Sequence, residues 1–236
     1  EGELCSEIEV MPSSSIESQI KAAGITDSSK THAYVLEEGE EAIFTRAWLS
    51  QNSRETIDIQ YFIFSLDNVG IIALDYLLRA ADRGVNIRML VDDIMLDVSE
   101  ADVLALNAHP NLEIRIYNPS PGKNGFQKAY HAVTDFQGFN QRMHNKTFIV
   151  DRSVAITGGR NIADEYFDYD QEYNFRDRDV MLIGQGAKDI QASFETFWNH
   201  PLAVTMKEHE SNPAQNQTLY DRIHAYACDT ANFWPE

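Results

Sequence analysis

The first half of the chain alternates between apolar runs and helical stretches. Residues 56–64 alternate apolar and polar side chains and then become fully apolar, a pattern that predicts a strand entering a core. Residues 70–82 place Leu and Ile at helical spacing, whereas residues 85–91 and 112–117 are short apolar runs typical of strands. With a short helix around residues 100–107, the order is strand, helix, strand, helix, strand. This order favours a sheet covered by helices and joined by right-handed crossovers.

The second half of the chain predicts a different kind of strand connection. Two apolar runs, residues 146–150 and 154–157, are separated by three polar residues, which is typical of a hairpin. A strand at residues 180–183 and a helix at residues 187–199 follow, and a helix at residues 38–51 precedes the first strand. The predicted fold class is therefore α/β, with a mixed, largely parallel β-sheet flanked by helices.

The charge balance narrows the classes of partner. The chain has 236 residues, with 19 Lys and Arg against 37 Asp and Glu, which gives a net charge of −18. This acidity argues against a broad basic face that binds nucleic acid by neutralising phosphates, and against general adhesion to anionic membranes. It leaves room for one small phosphate-binding site, since net charge does not fix a local field.

The ends of the chain give further expectations. The two cysteines, Cys5 and Cys228, fit either two free thiols or one disulfide that joins the ends in an oxidising compartment. No stretch of the sequence approaches the roughly 18 apolar residues of a membrane span. Because the chain begins at Glu1 rather than Met, we expect a processed form or part of a longer chain.

The segment from His144 to Asp151 carries the most informative chemistry. It has a His, a Lys two residues later and an Asp five residues after that. On a strand the first two of these side chains point to the same face, so the imidazole and the ammonium project together. An imidazole attacks a phosphodiester as nucleophile, while an ammonium neutralises the charge that builds on a non-bridging oxygen. Gly158, Gly159 and Asn161 follow, and small residues beside an amide suit close approach to a phosphate.

This combination resembles the phospholipase D superfamily signature. The run HNKTFIVD at residues 144–151, followed after six residues by GGRN at residues 158–161, fixes several residue types over 18 positions. The wider text, including TIDIQYFIF and LLRAADRGVNIRMLVDD, is similar to the first half of bacterial cardiolipin-synthase-type phospholipase D proteins. The resemblance implies a catalytic lobe over residues 34–199, after a polar lead-in at residues 1–33 and before a polar tail or linker toward a second lobe at residues 200–236.

The resemblance assigns roles to individual residues. His144 is expected to be the nucleophile that forms a phosphohistidine intermediate. Asp177 is expected to orient the second imidazole nitrogen, and Asp179 is an alternative on the same strand face. Asp151 completes the signature, although its place at the predicted turn favours a role in shaping that turn. The candidate catalytic residues are His144, Lys146, Asp151 and Asp177, and the candidate phosphate-binding residues are Lys146, Gly158, Gly159 and Asn161.

The family chemistry requires no metal and no other cofactor. We accordingly interpret the paired carboxylates Asp92 and Asp93 as a solvated turn rather than a metal site. Family enzymes with similar sequences combine two H-x-K motifs in one site, and the second His serves as general acid and base. None of the other six histidines here is followed by Lys two positions later. We therefore expect either the first lobe of a two-lobe enzyme, which we favour, or one subunit of a dimer.

The expected substrate is an anionic phospholipid, and the expected protein is bacterial and peripherally associated with a membrane. Transfer of the phosphatidyl group to a lipid hydroxyl would give cardiolipin, and transfer to water would give phosphatidic acid. The alternatives are a phospholipase D-type nuclease, which the acidity disfavours, and a non-catalytic lobe that binds lipid headgroups or a partner. Residues 114–150 hold five basic residues, one acidic residue and several aromatics. We expect this segment either to guide the lipid or to pack as a helix.

Overall fold

The structure is a computed structural model that describes residues 12–92, 100–119, 142–170, 172–205 and 213–233. The strands in these ranges are β1 (Thr31–Leu36), β2 (Thr56–Tyr61), β3 (Asn86–Asp92), β4 (Leu112–Tyr117), β5 (Thr147–Val150), β6 (Val154–Gly158), β7 (Asp179–Gly184) and β8 (Ala203–Thr205). The α-helices are α1 (Ile16–Ala22), α2 (Gly39–Asn52), α3 (Asn68–Asp82), α4 (Glu100–Asn107), α5 (Gln185–Trp198) and α6 (Pro213–Ala227). Short 3₁₀ turns lie at Asp164–Tyr166 and Thr230–Phe233.

All eight of these strands form one mixed sheet, in the order β1-β7-β6-β5-β2-β3-β4-β8. The α/β class and the mixed sheet are confirmed. The parallel part is smaller than expected, because only β2 with β3 and β3 with β4 pair in parallel among the described strands. The other five pairings are antiparallel. The change follows from the connections: helices join β2, β3 and β4, whereas the three-residue turn at 151–153 can join only antiparallel strands.

The two faces of the sheet bury two separate sets of side chains. On β2, Ile57, Ile59 and Tyr61 point into the larger core, which also takes in apolar residues of α2 and α3. The opposite face packs Leu90 and Ile149 against α5 in the smaller core. At the carboxyl end of β2, Asp67 caps α3 by accepting from the backbone N–H of Gly70 at 3.0 Å. This cap fixes the start of α3.

The regions expected as a lead-in and a tail contribute helices and strands to the same fold. In the first region, α1 buries Ile16 in the larger core, and β1 begins at Thr31. In the second, β8 pairs with β4, and α6 packs against α3. Leu219, Ile223 and Ala227 recur every four residues and make one buried stripe on α6. Average composition conceals such a stripe, which explains why residues 200–236 predict a polar tail.

Some expectations concern residues outside the described ranges. Cys228 is in a disulfide, whereas Cys5, the other member of the predicted pair, lies outside them. Most of the segment expected to guide the lipid, residues 120–141, also lies outside. In the part of the chain that the structure describes, no helix has the length and apolar character needed to cross a membrane.

Candidate active site

His144 and Lys146 lie directly before β5, at the edge of the sheet where β2 ends. The pairing of Thr147 with Gln60 places the start of β5 beside the end of β2, since the two strands are antiparallel. The side chain of His144 is exposed, whereas Lys146 is only 6% exposed. The motif therefore puts a reachable imidazole above a largely buried ammonium.

The imidazole and the ammonium contact each other directly. Lys146 Nζ lies 3.3 Å from Nδ1 of His144 and donates to the carbonyl oxygen of His144 at 2.8 Å. An ammonium only donates, so this contact is a hydrogen bond in the tautomer that carries the imidazole proton on Nε2. The ring of Phe62 lies 4.9 Å from the imidazole ring, and its centroid is 5.6 Å from Lys146 Nζ. Burial lowers the pKa of Lys146, and the negative charge of Asp177 opposes that shift.

Asn161 is held in place from two sides. Its Oδ1 accepts from the backbone N–H of Ile63 at 3.0 Å, and its side chain is hydrogen-bonded to Tyr166. Burial raises the pKa of Tyr166, and the bond to Asn161 acts against that rise. A backbone bridge between Phe64 and Ile162 joins the two loops that follow β2 and β6. The amide, only 3% exposed, is thus fixed at the same sheet edge as His144.

Gly158 and Gly159 allow close packing against a neighbouring segment of the chain, whereas the sequence predicts close approach to a phosphate. A methyl group at Gly158 would collide with the carbonyl oxygen of Arg178 and with the Asp179 carboxylate. A methyl group at Gly159 would lie 2.6 Å from Oδ1 of Asp177. Both glycines therefore admit residues 177–179, where β7 begins, and the phosphate-binding role expected for them remains a prediction.

Asp177 and Asp179 have different surroundings. Asp179 is fully buried and pairs with Arg46 at 2.7 Å, while a guanidinium nitrogen of Arg160 lies 3.8 Å away. Asp177 is partly exposed and acts electrostatically on Lys146. Between the described side chains of His144 and Asp177 the structure records no hydrogen bond. Of the two carboxylates, Asp177 is the one whose charge acts on Lys146, and its orienting role remains a prediction.

Sequence reasoning missed the buried arginines behind the site. Arg46 Nε donates to the hydroxyl of Tyr61 at 3.0 Å in addition to pairing with Asp179. Arg160 donates to the backbone carbonyls of Leu36, Glu37 and Tyr166 and so fixes the loop that carries Asn161. In the sequence, these residues are visible only as one Arg within α2 and as the Arg of the GGRN run.

Asp151 and Asp92 each connect separate segments of the chain by accepting hydrogen bonds from backbone N–H groups. Asp151 lies at the far end of β5, and its carboxylate accepts from the backbone N–H groups of Arg54, Glu55 and Thr56. These contacts support the turn-shaping role expected for it over a catalytic one. Asp92, interpreted above as part of a solvated turn, is instead fully buried and accepts from the backbone N–H of Met143 at 3.0 Å. It therefore helps to fix the segment that leads into His144, whereas Asp93 lies outside the described residues.

Comparison with known proteins identifies the family. The family model described as "Cardiolipin synthase, PLD-like domain" matches residues 49–198, more than half of the chain. The chain therefore belongs to this family of phospholipase D-like domains, and the resemblance seen in the sequence is confirmed.

Relatives and solved structures agree with this assignment. The chain is 38% identical over 165 residues to cardiolipin synthase C of Escherichia coli (strain K12), over 70% of this chain and 34% of that protein. It is 36% identical over 207 residues to an uncharacterized protein of Helicobacter pylori (strain J99), over 85% of this chain and 41% of that protein. The chain thus spans less than half the length of these relatives. The fold is similar to that of NucT from Helicobacter pylori, with a TM-score of 0.54 at 16% identity over 75% of this chain and 99% of that one.

Proposed function

We propose that this chain is one lobe of a phosphatidyltransferase or phospholipase D that cleaves phospholipid phosphodiesters through a phosphohistidine at His144. The observation that carries the proposal is the direct contact between His144 and Lys146 at the sheet edge that also holds Asn161. The family match and the likeness to a cardiolipin synthase support a phospholipid as substrate. The net charge of −18 supports it over nucleic acid.

In the proposed reaction, a ring nitrogen of His144 attacks the phosphorus atom. A phosphorus–nitrogen bond forms as the bond to the leaving alcohol breaks, and the alkoxide takes a proton as it departs. Lys146 and the amide of Asn161 stabilise the negative charge on the non-bridging oxygens. Attack through Nε2 requires the ring proton on Nδ1, so the imidazole must exchange its contact with Lys146 for one with Asp177, the carboxylate that we assign to hold this proton. An acceptor hydroxyl then attacks phosphorus, the bond to His144 breaks, and the nucleophile is restored.

The proton donor for the leaving alcohol is not supplied by this motif. We propose that a second lobe of a longer protein, or a dimer mate, supplies it as general acid and then as base. Because the substrate is an anionic phospholipid in a bilayer, we propose that the assembled protein contacts the membrane peripherally. The transfer then yields cardiolipin when the acceptor is a lipid hydroxyl and phosphatidic acid when it is water.

Trapping the covalent intermediate tests the proposal. Acid-free quenching of the assembled protein with ³²P-labelled phosphatidylglycerol should give a base-stable, acid-labile label on the wild type and none on His144→Ala. His200→Ala, which alters another exposed imidazole, is the matched control and should be labelled like the wild type. Full turnover by His144→Ala, or equal labelling of both variants, would contradict the assignment of the nucleophile.

A further inference from the structure

An apolar groove opens between α2 and α3, on the face of the sheet that bears the larger core. Its cavity of about 250 Å³ is lined by apolar side chains of both helices and of the segment after the 3₁₀ turn at Asp164–Tyr166, among them Phe44, Ala47, Ile72 and Phe167. Phe44 is 52% exposed, and Trp48, one helical turn further along α2, is 46% exposed. Contiguous exposed apolar surface of this kind is typical of ligand-binding grooves.

A single unsatisfied amide lies at the mouth of this groove. Asn68 lines the cavity and is 8% exposed. Its Oδ1 accepts from the hydroxyl of Tyr226 at 2.7 Å, but its Nδ2 has no hydrogen-bond partner. A buried donor without a partner is costly, so a ligand that brings a carbonyl oxygen to this point would be favoured. The groove therefore offers one N–H donor followed by a long apolar wall.

Negative charge beside the groove discriminates between ligands that carry a carbonyl group and a hydrocarbon chain. Glu40 and Asp168 line the same cavity, and both are exposed. A free fatty acid would bring its carboxylate toward these two carboxylates and be repelled. A neutral acyl ester presents the same carbonyl and hydrocarbon chain without that repulsion.

The groove also lies next to the candidate active site. Tyr166 is hydrogen-bonded to Asn161, and the following residue, Phe167, lines the groove. The first turn of α3 borders the groove, and residues 62–67 connect it to the end of β2, beside which His144 lies.

We infer that the groove between α2 and α3 binds one ester-linked acyl chain of the substrate phospholipid, with Asn68 donating to the ester carbonyl. The inference rests on the proposed function and names the part of the lipid that the His144 site does not hold. A pocket of this volume is below the roughly 300–1,000 Å³ of typical ligand pockets, which suits a single chain segment rather than a whole lipid.

Binding of small soluble probes tests the inference. We expect monomeric dihexanoylphosphatidylglycerol to bind the chain at least tenfold more tightly than glycerophosphoglycerol, which has no acyl chains. Ala47→Phe fills the groove and should remove this advantage while leaving glycerophosphoglycerol affinity within twofold. Equal affinity of wild type and variant for the acylated probe would overturn the inference, as would a binding loss shared equally by both probes.

Additional probes and variants separate the remaining outcomes. Dihexanoylglycerol carries the esters without a phosphate, so its binding and its loss in Ala47→Phe report on the groove even where phosphodiester binding and phosphohistidine formation are absent. Hexanoate binding as tight as that of dihexanoylglycerol would overturn the choice of an ester. Should Ala47→Phe fail to fold, Phe44→Ser alters an exposed lining residue and should weaken the acylated probe several-fold. Val204→Ser, at an exposed apolar position on β8, is its matched control and should leave binding unchanged.

Discussion

The two ends of β5 carry the two halves of one sequence motif, and they differ in how well their polar groups are satisfied. At the far end, Asp151 accepts from three successive backbone N–H groups. At the near end, His144 is exposed and Lys146 is buried beside it. Next to Lys146, the buried hydroxyl of Thr147 and both polar atoms of the Gln60 side chain have no hydrogen-bond partner.

This difference separates stability from chemistry within the motif. Unsatisfied buried polar groups cost free energy, so a fold optimised for stability alone would pair them. The end with Asp151 follows that rule, since it joins β5 to the loop before β2. The end with Lys146 departs from it, as sites that must bind a ligand often do. Substitutions at the two ends should therefore affect different measurements.

The largest expected effect is on turnover, from Lys146→Met. The substitution keeps the approximate length of the side chain and removes the positive charge that we propose stabilises the non-bridging oxygens. We expect turnover of the assembled protein to fall by about 10²–10³-fold, the usual cost of one electrostatic stabiliser. Because the variant also removes a buried charge, its urea midpoint should equal or exceed that of the wild type. A variant with wild-type turnover would remove Lys146 from the mechanism.

The opposite end should show the opposite behaviour. Asp151→Ala leaves three backbone N–H groups without their acceptor, and we expect it to lower the free energy of unfolding by about 2–4 kcal/mol. Asp151→Asn keeps one acceptor oxygen and also suits the positive φ of 47° at this position, so it should recover most of the loss. Urea unfolding measures both. Turnover lost in Asp151→Ala at a temperature where the protein stays folded would contradict the division between the two ends.

The sequence predicts the elements that carry this division better than it predicts their surroundings. The strands and helices between residues 56 and 199 lie close to their expected places, because apolar periodicity records which face is buried. The antiparallel majority of the sheet was not predicted, since pairing partners depend on contacts remote in sequence. The same holds for α6, whose stripe of three apolar residues is set in a polar segment.

The sequence likewise predicts only part of the candidate site. The motif identifies His144, Lys146 and Asn161, and the structure brings them to one sheet edge. The motif does not identify the buried pairing of Asp179 with Arg46, because 133 residues separate the two in the chain. For the same reason, sequence left the choice between Asp177 and Asp179 open, and burial is what distinguishes them.

The neighbouring glycines offer a matched pair of moderate effects. Gly158→Ala would press its methyl group against the backbone of Arg178, and we expect a loss of about 1–3 kcal/mol in the free energy of unfolding. The atoms nearest to a methyl group at Gly159 all belong to the Asp177 side chain, which is partly exposed and can swing aside at a cost below about 1 kcal/mol. The effect of Gly159→Ala should appear in turnover instead, since it displaces the carboxylate assigned to His144. Equal losses of stability in both variants would contradict this reading of the GG pair.

The last expected effect concerns the carboxyl pair Asp164 and Asp67, on the loops that follow β6 and β2. Asp164 lies against Asp67, and burial, with the nearby Asp67 charge, raises the pKa of Asp164 to about 6. The folded state therefore holds a proton that the unfolded chain releases near pH 4, so this group's contribution to stability is present at low pH and is lost as the pH rises through about 6. Asp164→Asn should abolish this loss, whereas Asp221→Asn, on the exposed face of α6, should retain it. Urea midpoints measured from pH 4 to 7.5 would show the difference, and parallel profiles for the wild type and Asp164→Asn would contradict it.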